Sequence, residues 1–338
     1  MRIAIYGAGS LGTVLGAYLG RDGLEVELIT RNERHIKGLN EKGAQIIGTL
    51  TMIVPVRAIL PEQMSGVYDL LFLMTKQMNN AEVVKNLVNF LGEDGVICTF
   101  QNGLPEYLIG GIIGENRTYG CTVGWGATLI GDGVCELTSD PNNLSFGLGS
   151  FGSPDNDTIN QIKSVLEHMG SITIETNFIG ARWSKLLTNS TFSAMSAILG
   201  CTIGEAAGNR ESRLYVQRLI KECIDVTKAA DIHLEPIQGK DPVKLFDYDN
   251  IIKEKISNFI IPIAIRKHRL SRPSLLQDLE KGKKTEIDSI NGIVCEFGRK
   301  HNVPTPYNDL VVSIIHKIEQ GEYKLGFENL MLFREVVN

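Results

Sequence analysis

The sequence predicts an α/β domain built on a doubly wound, mostly parallel sheet, followed by an all-α domain, and three observations carry that expectation. Short apolar runs alternate with amphipathic stretches over the first half of the chain. A glycine-rich turn directly follows the first of those runs. Beyond residue 176 almost every segment carries helical spacing. A chain of 338 residues also calls for two cores, because a single core stops growing at about 250–300 residues.

Taken in order, residues 3–6, 26–30, 70–74 and 96–100 read as buried parallel strands, being short, continuous and rich in β-formers. Between them, residues 11–19, 34–40 and 81–91 place apolar side chains at three- and four-residue intervals, as helices do. After Gly103 the pattern changes to a hairpin, 126–130 and 134–138 around Gly131-Asp132-Gly133, expected to extend the same sheet. A helix at 158–169 and a strand at 172–175 complete a first domain, 1–176. The second, 177–338, reads as helices at 178–199, 210–230, 284–300 and 307–319, with an ill-defined stretch at 242–270.

Composition narrows the function. Apolar residues make up 43% and charged residues 22%, the balance of a globular protein. With 34 basic against 39 acidic residues and no long basic run, the chain lacks the electrostatic footprint of a nucleic-acid binder. Its six cysteines form no C-x-x-C pair and match no histidine spacing, so a reduced protein without a metal site is expected. No segment has the roughly eighteen uninterrupted apolar residues of a membrane span. Arg2-Ile3-Ala4-Ile5-Tyr6 runs into glycines as a strand would, not as a secretory signal. A cytoplasmic location with no membrane partner is the expectation.

Gly7-Ala8-Gly9-Ser10-Leu11-Gly12 fits G-x-G-x-x-G between a strand and a helix, the context of a Rossmann-type dinucleotide-binding domain. The first glycine would make the turn, the second admit the pyrophosphate and the third let helix pack on strand. An NAD-selective site normally places an acid at the end of the second strand, yet Leu28-Ile29-Thr30-Arg31 supplies none. The Arg31 guanidinium can instead hold a 2′-phosphate, which points to NADP(H). Lys76 follows the 70–74 strand at the carboxyl edge where such sheets bind ligands, although a surface lysine at a helix start would look the same. Asn102 follows the next strand and could bond the nicotinamide ribose, while Asn-Gly is also an ordinary turn.

Hydride delivery to a carbonyl leaves negative charge on oxygen, so a proton donor or a cation is needed there. Lys185 and Asn189 stand four apart on one helix face, with Ser193 a further step along, among Leu, Phe, Ala and Met. That line reads as a polar strip in a buried or cleft-facing helix, and a solvated face would carry the same spacing. Ser274-Leu275-Leu276-Gln277-Asp278 is followed by Lys284-Thr285-Glu286-Ile287-Asp288 at a helix start, where an acid is favourable for the helix alone.

At these residues the chain resembles ketopantoate reductase, the NADPH-dependent enzyme of pantothenate synthesis, and the larger family that shares its fold. The resemblance covers nearly the whole length. It rests on the glycine motif with Arg31, Lys76, Gln101-Asn102-Gly103, Trp183-Ser184-Lys185-Leu186 with Asn189, and above all Ser274-x-x-Gln277-Asp278 followed by Thr285-Glu286-Ile287-Asp288. It implies that Lys185 is the general acid and that Glu286 anchors the substrate hydroxyl, orients that lysine and contacts the coenzyme. It further implies that Asn189, Ser193 and Ser274 bind substrate, and that Asn102 bridges coenzyme and substrate. Three departures bear on which keto acid is taken. Ser193 stands where ketopantoate reductases usually carry a second asparagine, the segment Gly120 to Gly126 differs from the family's threonine-rich run, and extra sequence lies around 240–270. The expectation is reduction of ketopantoate to pantoate for pantothenate and coenzyme A synthesis. A related reductase of another 2-keto acid and a non-catalytic NADPH-binding protein are the alternatives; a homodimer through the helical domain is a further expectation, although the sequence shows no sustained heptad seam.

Overall fold

The computed structural model describes residues 1–237 and 239–336; residue 238 and residues 337–338, which end the expected second domain, lie outside the described residues. Two compact units divide the chain, Met1–Phe178 and Ile179–Asn338.

In the first unit the main sheet runs β12-β11-β8-β7-β6-β1-β2-β5. Its strands are β1 (Ile3–Tyr6), β2 (Val26–Ile29), β5 (Arg57–Ile59), β6 (Tyr68–Leu73), β7 (Leu91–Thr99), β8 (Thr118–Val123), β11 (Ser145–Ser150) and β12 (Ser171–Ile174). From β5 to β8 every pair is parallel, and β11 runs antiparallel to β8. The continuous apolar runs are explained by burial on both faces. Ile3 and Ile5 of β1 enter one core with Val14, Leu15 and Phe72. Ala4 and Tyr6 enter the other with Leu71, Val84 and Ile109. Helices α1 (Ser10–Arg21), α2 (Glu33–Lys42), α3 (Asn80–Leu87), α4 (Pro105–Ile113) and α5 (Asn156–Leu166) alternate with the strands.

The hairpin does not extend this sheet, contrary to the expectation. Its strands β9 (Ala127–Gly131) and β10 (Val134–Leu137) belong to a second sheet of order β4-β3-β10-β9, with β3 (Ala44–Gly48) and β4 (Met52–Val54). Two contacts far apart in sequence decide this. β10 pairs with β3 in parallel register, Val134 opposite Gln45. The hairpin turn lies so close to α2 that a Cβ on Gly38 would sit 2.5 Å from the Asp132 carbonyl.

The second unit is helical. The expected 178–199 helix is present as α6 (Phe178–Thr188) and α7 (Ala194–Leu199), but a π-helical turn, Asn189–Ser193, interrupts it. Gly200, in the left-handed region at φ 67, ends it. There follow α8 (Ile203–Gly208), α9 (Arg210–Ala229), α10 (Pro242–Phe246), α11 (Ile251–Ala264), α12 (Ser274–Glu280), α13 (Ile287–Lys300) and α14 (Pro306–Glu319). α13 starts three residues later than the expected 284, because the Thr285 N–H and hydroxyl both donate to Glu319 at 2.7 Å and hold that segment outside the helix. Among the described residues no helix is long and apolar enough to cross a membrane.

Candidate active site

The glycine turn explains its own residues. Gly7 has φ +110, and a Cβ there would lie 2.5 Å from the Thr75 nitrogen, so only glycine lets β1 leave past β6. Gly12 sits against Gly7, where an added Cβ would come within 2.5 Å of its carbonyl oxygen. Gly9 differs: nothing lies within 4 Å of its would-be Cβ. It occupies the N-cap position of α1 with no side-chain cap and no acid in the first turn. The N–H groups of Ser10, Leu11 and Gly12 therefore point past a bare glycine at the positive end of a twelve-residue helix. That geometry fits a pyrophosphate.

Of the four other predicted coenzyme residues, three, Arg31, Lys76 and Asn102, follow the carboxyl ends of β2, β6 and β7, strands of one sheet in the order β7, β6, β1, β2. Arg31 is exposed just after β2, and Asn32 next to it caps α2 by accepting from the His35 N–H at 3.2 Å. Lys76 is exposed after β6, and Asn102 is half-buried after β7. An amide clamp that the sequence reading missed joins the last two loops. Gln101 Nε2 donates to Asn80 Oδ1 at 2.8 Å, and Asn80 Nδ2 returns a bond to Gln101 Oε1 at 3.1 Å. Gln77 Nε2 donates to the Asn102 carbonyl. Polar residues flanking strand ends were the available signal, but only the fold pairs them.

Thr13 and His35 form a second missed support. His35 Nδ1 accepts from the Gly133 N–H at 3.0 Å and Nε2 lies 2.9 Å from the Thr13 hydroxyl, fastening α1, α2 and the hairpin turn behind the glycine motif. Burial lowers the pKa of this imidazole.

In the second unit, Lys185 and Asn189 are half-buried and Ser193 is buried. From 180 to 199 only Ala181, Lys185, Thr188, Asn189 escape full burial, and none is exposed, unlike a solvated helix face. The π turn carrying Asn189 and Ser193 is tied from outside. Its Ser190 carbonyl accepts from Asn291 Nδ2 at 2.7 Å, and the same amide donates to Asn308 Oδ1 at 2.9 Å. Asn308 in turn donates to Glu222 through its N–H (2.9 Å) and its Nδ2 (2.7 Å), and the Tyr307 N–H donates to the other Glu222 oxygen at 2.8 Å. Burial pushes the Glu222 carboxyl up to about 7, against the pull of those three donors.

Ser274 is exposed as the first residue of α12, and Glu286 is half-buried at the N-cap position of α13. Both helices pack on the π turn. The second unit thus brings the elements bearing Lys185, Asn189, Ser193, Ser274 and Glu286 together, although they span a hundred residues of sequence. A cavity of about 880 Å³ in the first unit is elsewhere, beside Arg2, Glu27, Arg57 and Asp69 at the amino ends of β1 and β2. Among the described residues no group of three or more His, Cys, Asp or Glu could hold a metal ion.

Comparison with known proteins covers both units. A family model described as ketopantoate reductase PanE/ApbA matches residues 3–150, and its companion for the C-terminal part matches 177–319. A 2-dehydropantoate 2-reductase of Streptococcus pyogenes is 27% identical over 332 residues, covering 94% of this chain and 98% of its own. Among solved structures, a PanE/ApbA family ketopantoate reductase from Ralstonia eutropha superposes with TM-score 0.81 at 21% identity, covering 95% of this chain and 99% of that one. D-mandelate dehydrogenase in complex with NADH superposes with TM-score 0.78 at 25% identity, covering 96% and 100%.

Proposed function

The chain belongs to the ketopantoate reductase family, and from that premise we propose that it is an NADPH-dependent oxidoreductase reducing a small 2-keto acid, with ketopantoate as first substrate and pantoate as product. The observation that carries the catalytic reading is the half-buried Lys185 in a helix that, from 180 to 188, exposes no residue to solvent. A lysine so placed is shielded from bulk water and can serve as a directed proton donor.

NADPH, when bound, supplies the hydride. Its pyrophosphate would rest on the Ser10, Leu11 and Gly12 N–H groups beside Gly9, with the Gly7-Ala8 turn closing the cradle. Arg31 would take the 2′-phosphate through charged hydrogen bonds, and Lys76 would add a second cation on the adenosine side. Asn102, its loop held by Gln77, would fix the nicotinamide ribose and meet the substrate. As negative charge develops on the carbonyl oxygen, the Lys185 ammonium donates a proton to it. Glu286 orients that lysine, accepts the hydroxyl of the substrate and contacts the coenzyme. Asn189, Ser193 and Ser274 hold the rest of the keto acid, Ser274 at its carboxylate.

A second reading, a reductase of another 2-keto acid, is favoured by Ser193, whose side chain is smaller than the asparagine usual in ketopantoate reductases. The likeness to D-mandelate dehydrogenase points the same way. The deciding experiment follows nicotinamide absorbance with NADPH or NADH against ketopantoate and a panel of branched, linear and aromatic 2-keto acids. Highest kcat/KM with NADPH and ketopantoate is the expected result. A better aromatic or linear keto acid selects the second reading, and tight NADPH binding without turnover on any of them overturns both.

A further inference from the structure

Glu286 stands at the N-cap position of α13, yet its side chain makes no cap bond there. An N-cap side chain that can accept normally bonds the first N–H groups of its own helix. Here the preceding residue serves instead: the Thr285 hydroxyl accepts from the Ile287 N–H at 3.3 Å. The same hydroxyl donates to Glu319 Oε1, and the Thr285 N–H donates to that oxygen too, both at 2.7 Å. A hydroxyl gives one bond and accepts others, so Thr285 ties the helix start and Glu319 together. With the Ser289 N–H donating to the Glu286 carbonyl at 3.0 Å, the backbone of Glu286 is fixed before and after, at φ −98 and ψ 29. Glu319 has no local reason to be acidic. It is the last residue of α14, at the negative end of a helix, where a carboxylate is unfavourable.

We infer that Glu319 is a positioning residue for the reduction: through Thr285 it fixes the backbone of Glu286, and so the place from which that carboxylate meets Lys185 and the substrate hydroxyl. The inference rests on the reading of Glu286 given above. α13 and α14 pack side by side, and the chain turns back through 301–305, so the end of α14 returns beside the start of α13. Residues 281–284, which lead from α12 to α13, are all exposed, and Thr285 is the first buried residue after them. The N–H groups of Lys281, Gly282 and Lys283 bond back to α12, so the Thr285 bonds to Glu319 are the next tie along the chain. Without that tie the first turn of α13 hangs from an exposed connection. A displacement of about 1 Å in a reacting constellation can lower the rate about 10²-fold, which gives a residue outside the chemistry its leverage.

A double-mutant cycle tests this, read in steady-state kinetics with NADPH and the best keto acid of the panel. Glu286→Ala should lower kcat/KM by about 10²-fold or more, and Glu319→Ala by about 10–100-fold. In the Glu286→Ala background, Glu319→Ala should lower it by less than about threefold further, because its effect passes through a carboxylate already gone. A merely structural role would multiply the two losses. Glu319→Gln keeps an oxygen that accepts both bonds and should stay within about threefold of wild type. Hydrogen exchange of the coenzyme-free protein gives a readout apart from turnover. In Glu319→Ala, exchange at the Thr285 and Ile287 amides should rise about tenfold or more while the second half of α13 stays protected. Should Glu319→Ala not fold, Thr285→Val, which removes the bridging hydroxyl, should show the same non-additivity with Glu286→Ala. Multiplied losses, a Glu319→Gln variant as impaired as Glu319→Ala, or unchanged exchange each overturns the inference. Near-normal turnover in Glu286→Ala overturns the reading of Glu286 and the inference with it, whereas a large loss there beside an unimpaired Glu319→Ala overturns the inference alone.

Discussion

The glycine turn after β1 is assembled from six consecutive residues, whereas the π turn at Asn189–Ser193 is held by side chains from three other helices. In the first, the three glycines differ in their surroundings: Gly7 lies against Thr75 in the loop after β6, Gly12 lies against Gly7, and Gly9 faces open space. In the second, a carbonyl at Ser190 is answered by Asn291, a hundred residues away, and that amide is steadied by Asn308 and Glu222. A π turn displaces backbone groups from the regular i to i−4 ladder, so the surrounding fold has to supply partners for them. One site can therefore be damaged by changing what it contains, the other by changing residues remote from it.

The largest effect should come from the second region itself. Lys185→Ala should lower kcat by about 10²–10⁴ while NADPH affinity, measured by fluorescence titration, stays within about twofold. Near-normal turnover would remove Lys185 as the proton donor. In the first region, Arg31→Asp should shift the NADPH to NADH preference by about 10–100-fold in kcat/KM ratios, since a charged hydrogen bond contributes about 1.5–3 kcal/mol. An unchanged ratio would sink the 2′-phosphate assignment.

Two glycine substitutions separate packing from binding. Gly12→Ala should destabilise the first unit by about 1–3 kcal/mol in urea melts, because its new Cβ meets a backbone carbonyl. Gly9→Ala, with nothing to collide with, should leave the melt nearly unchanged and weaken NADPH binding. Equal melts for the two would contradict the steric account. In the second region, Asn291→Leu strands the Ser190 carbonyl and should cost about 1–3 kcal/mol. It should also raise KM for the keto acid with coenzyme affinity unchanged, and a parallel loss of both affinities would mean simple unfolding.

The smallest expected effect is a pH slope. With the Glu222 pKa raised from 4.5 to about 7, the folded state holds a proton that the unfolded state has already lost. This contribution to stability is complete below about pH 4.5 and declines as pH rises to about 7, amounting to about 1–3 kcal/mol. Denaturant melts across that window should show the decline in wild type and a flatter profile in Glu222→Gln. A stability that rises over the same window in wild type alone would mean that the three donors outweigh burial.

Strands β1, β2, β6 and β7 were legible because burial on both faces leaves an unbroken apolar run, a signal contained in each segment. The hairpin strands were legible from the Gly131-Asp132-Gly133 turn between them, but not their sheet, which depends on Val134 meeting Gln45 across ninety residues. Lys185 and Asn189 stood out by spacing. That spacing predicts a continuous α-helix, and nothing local announces that the helix widens at Asn189. The Gln77, Asn80 and Gln101 clamp was invisible for a related reason, since amides beside strand ends look alike whether paired or solvated.

What the sequence determined by itself was therefore the layered α/β unit, the helical unit and the glycine cradle, because hydrophobic period and backbone sterics act between residues close in the chain. The tertiary structure alone decided which sheet the hairpin joins, where the helix bearing Lys185 turns π and which amides and carboxylates hold it. Hydrogen-bond partners are chosen by proximity in space, and residues from 190 to 308 become neighbours only once the helices have packed.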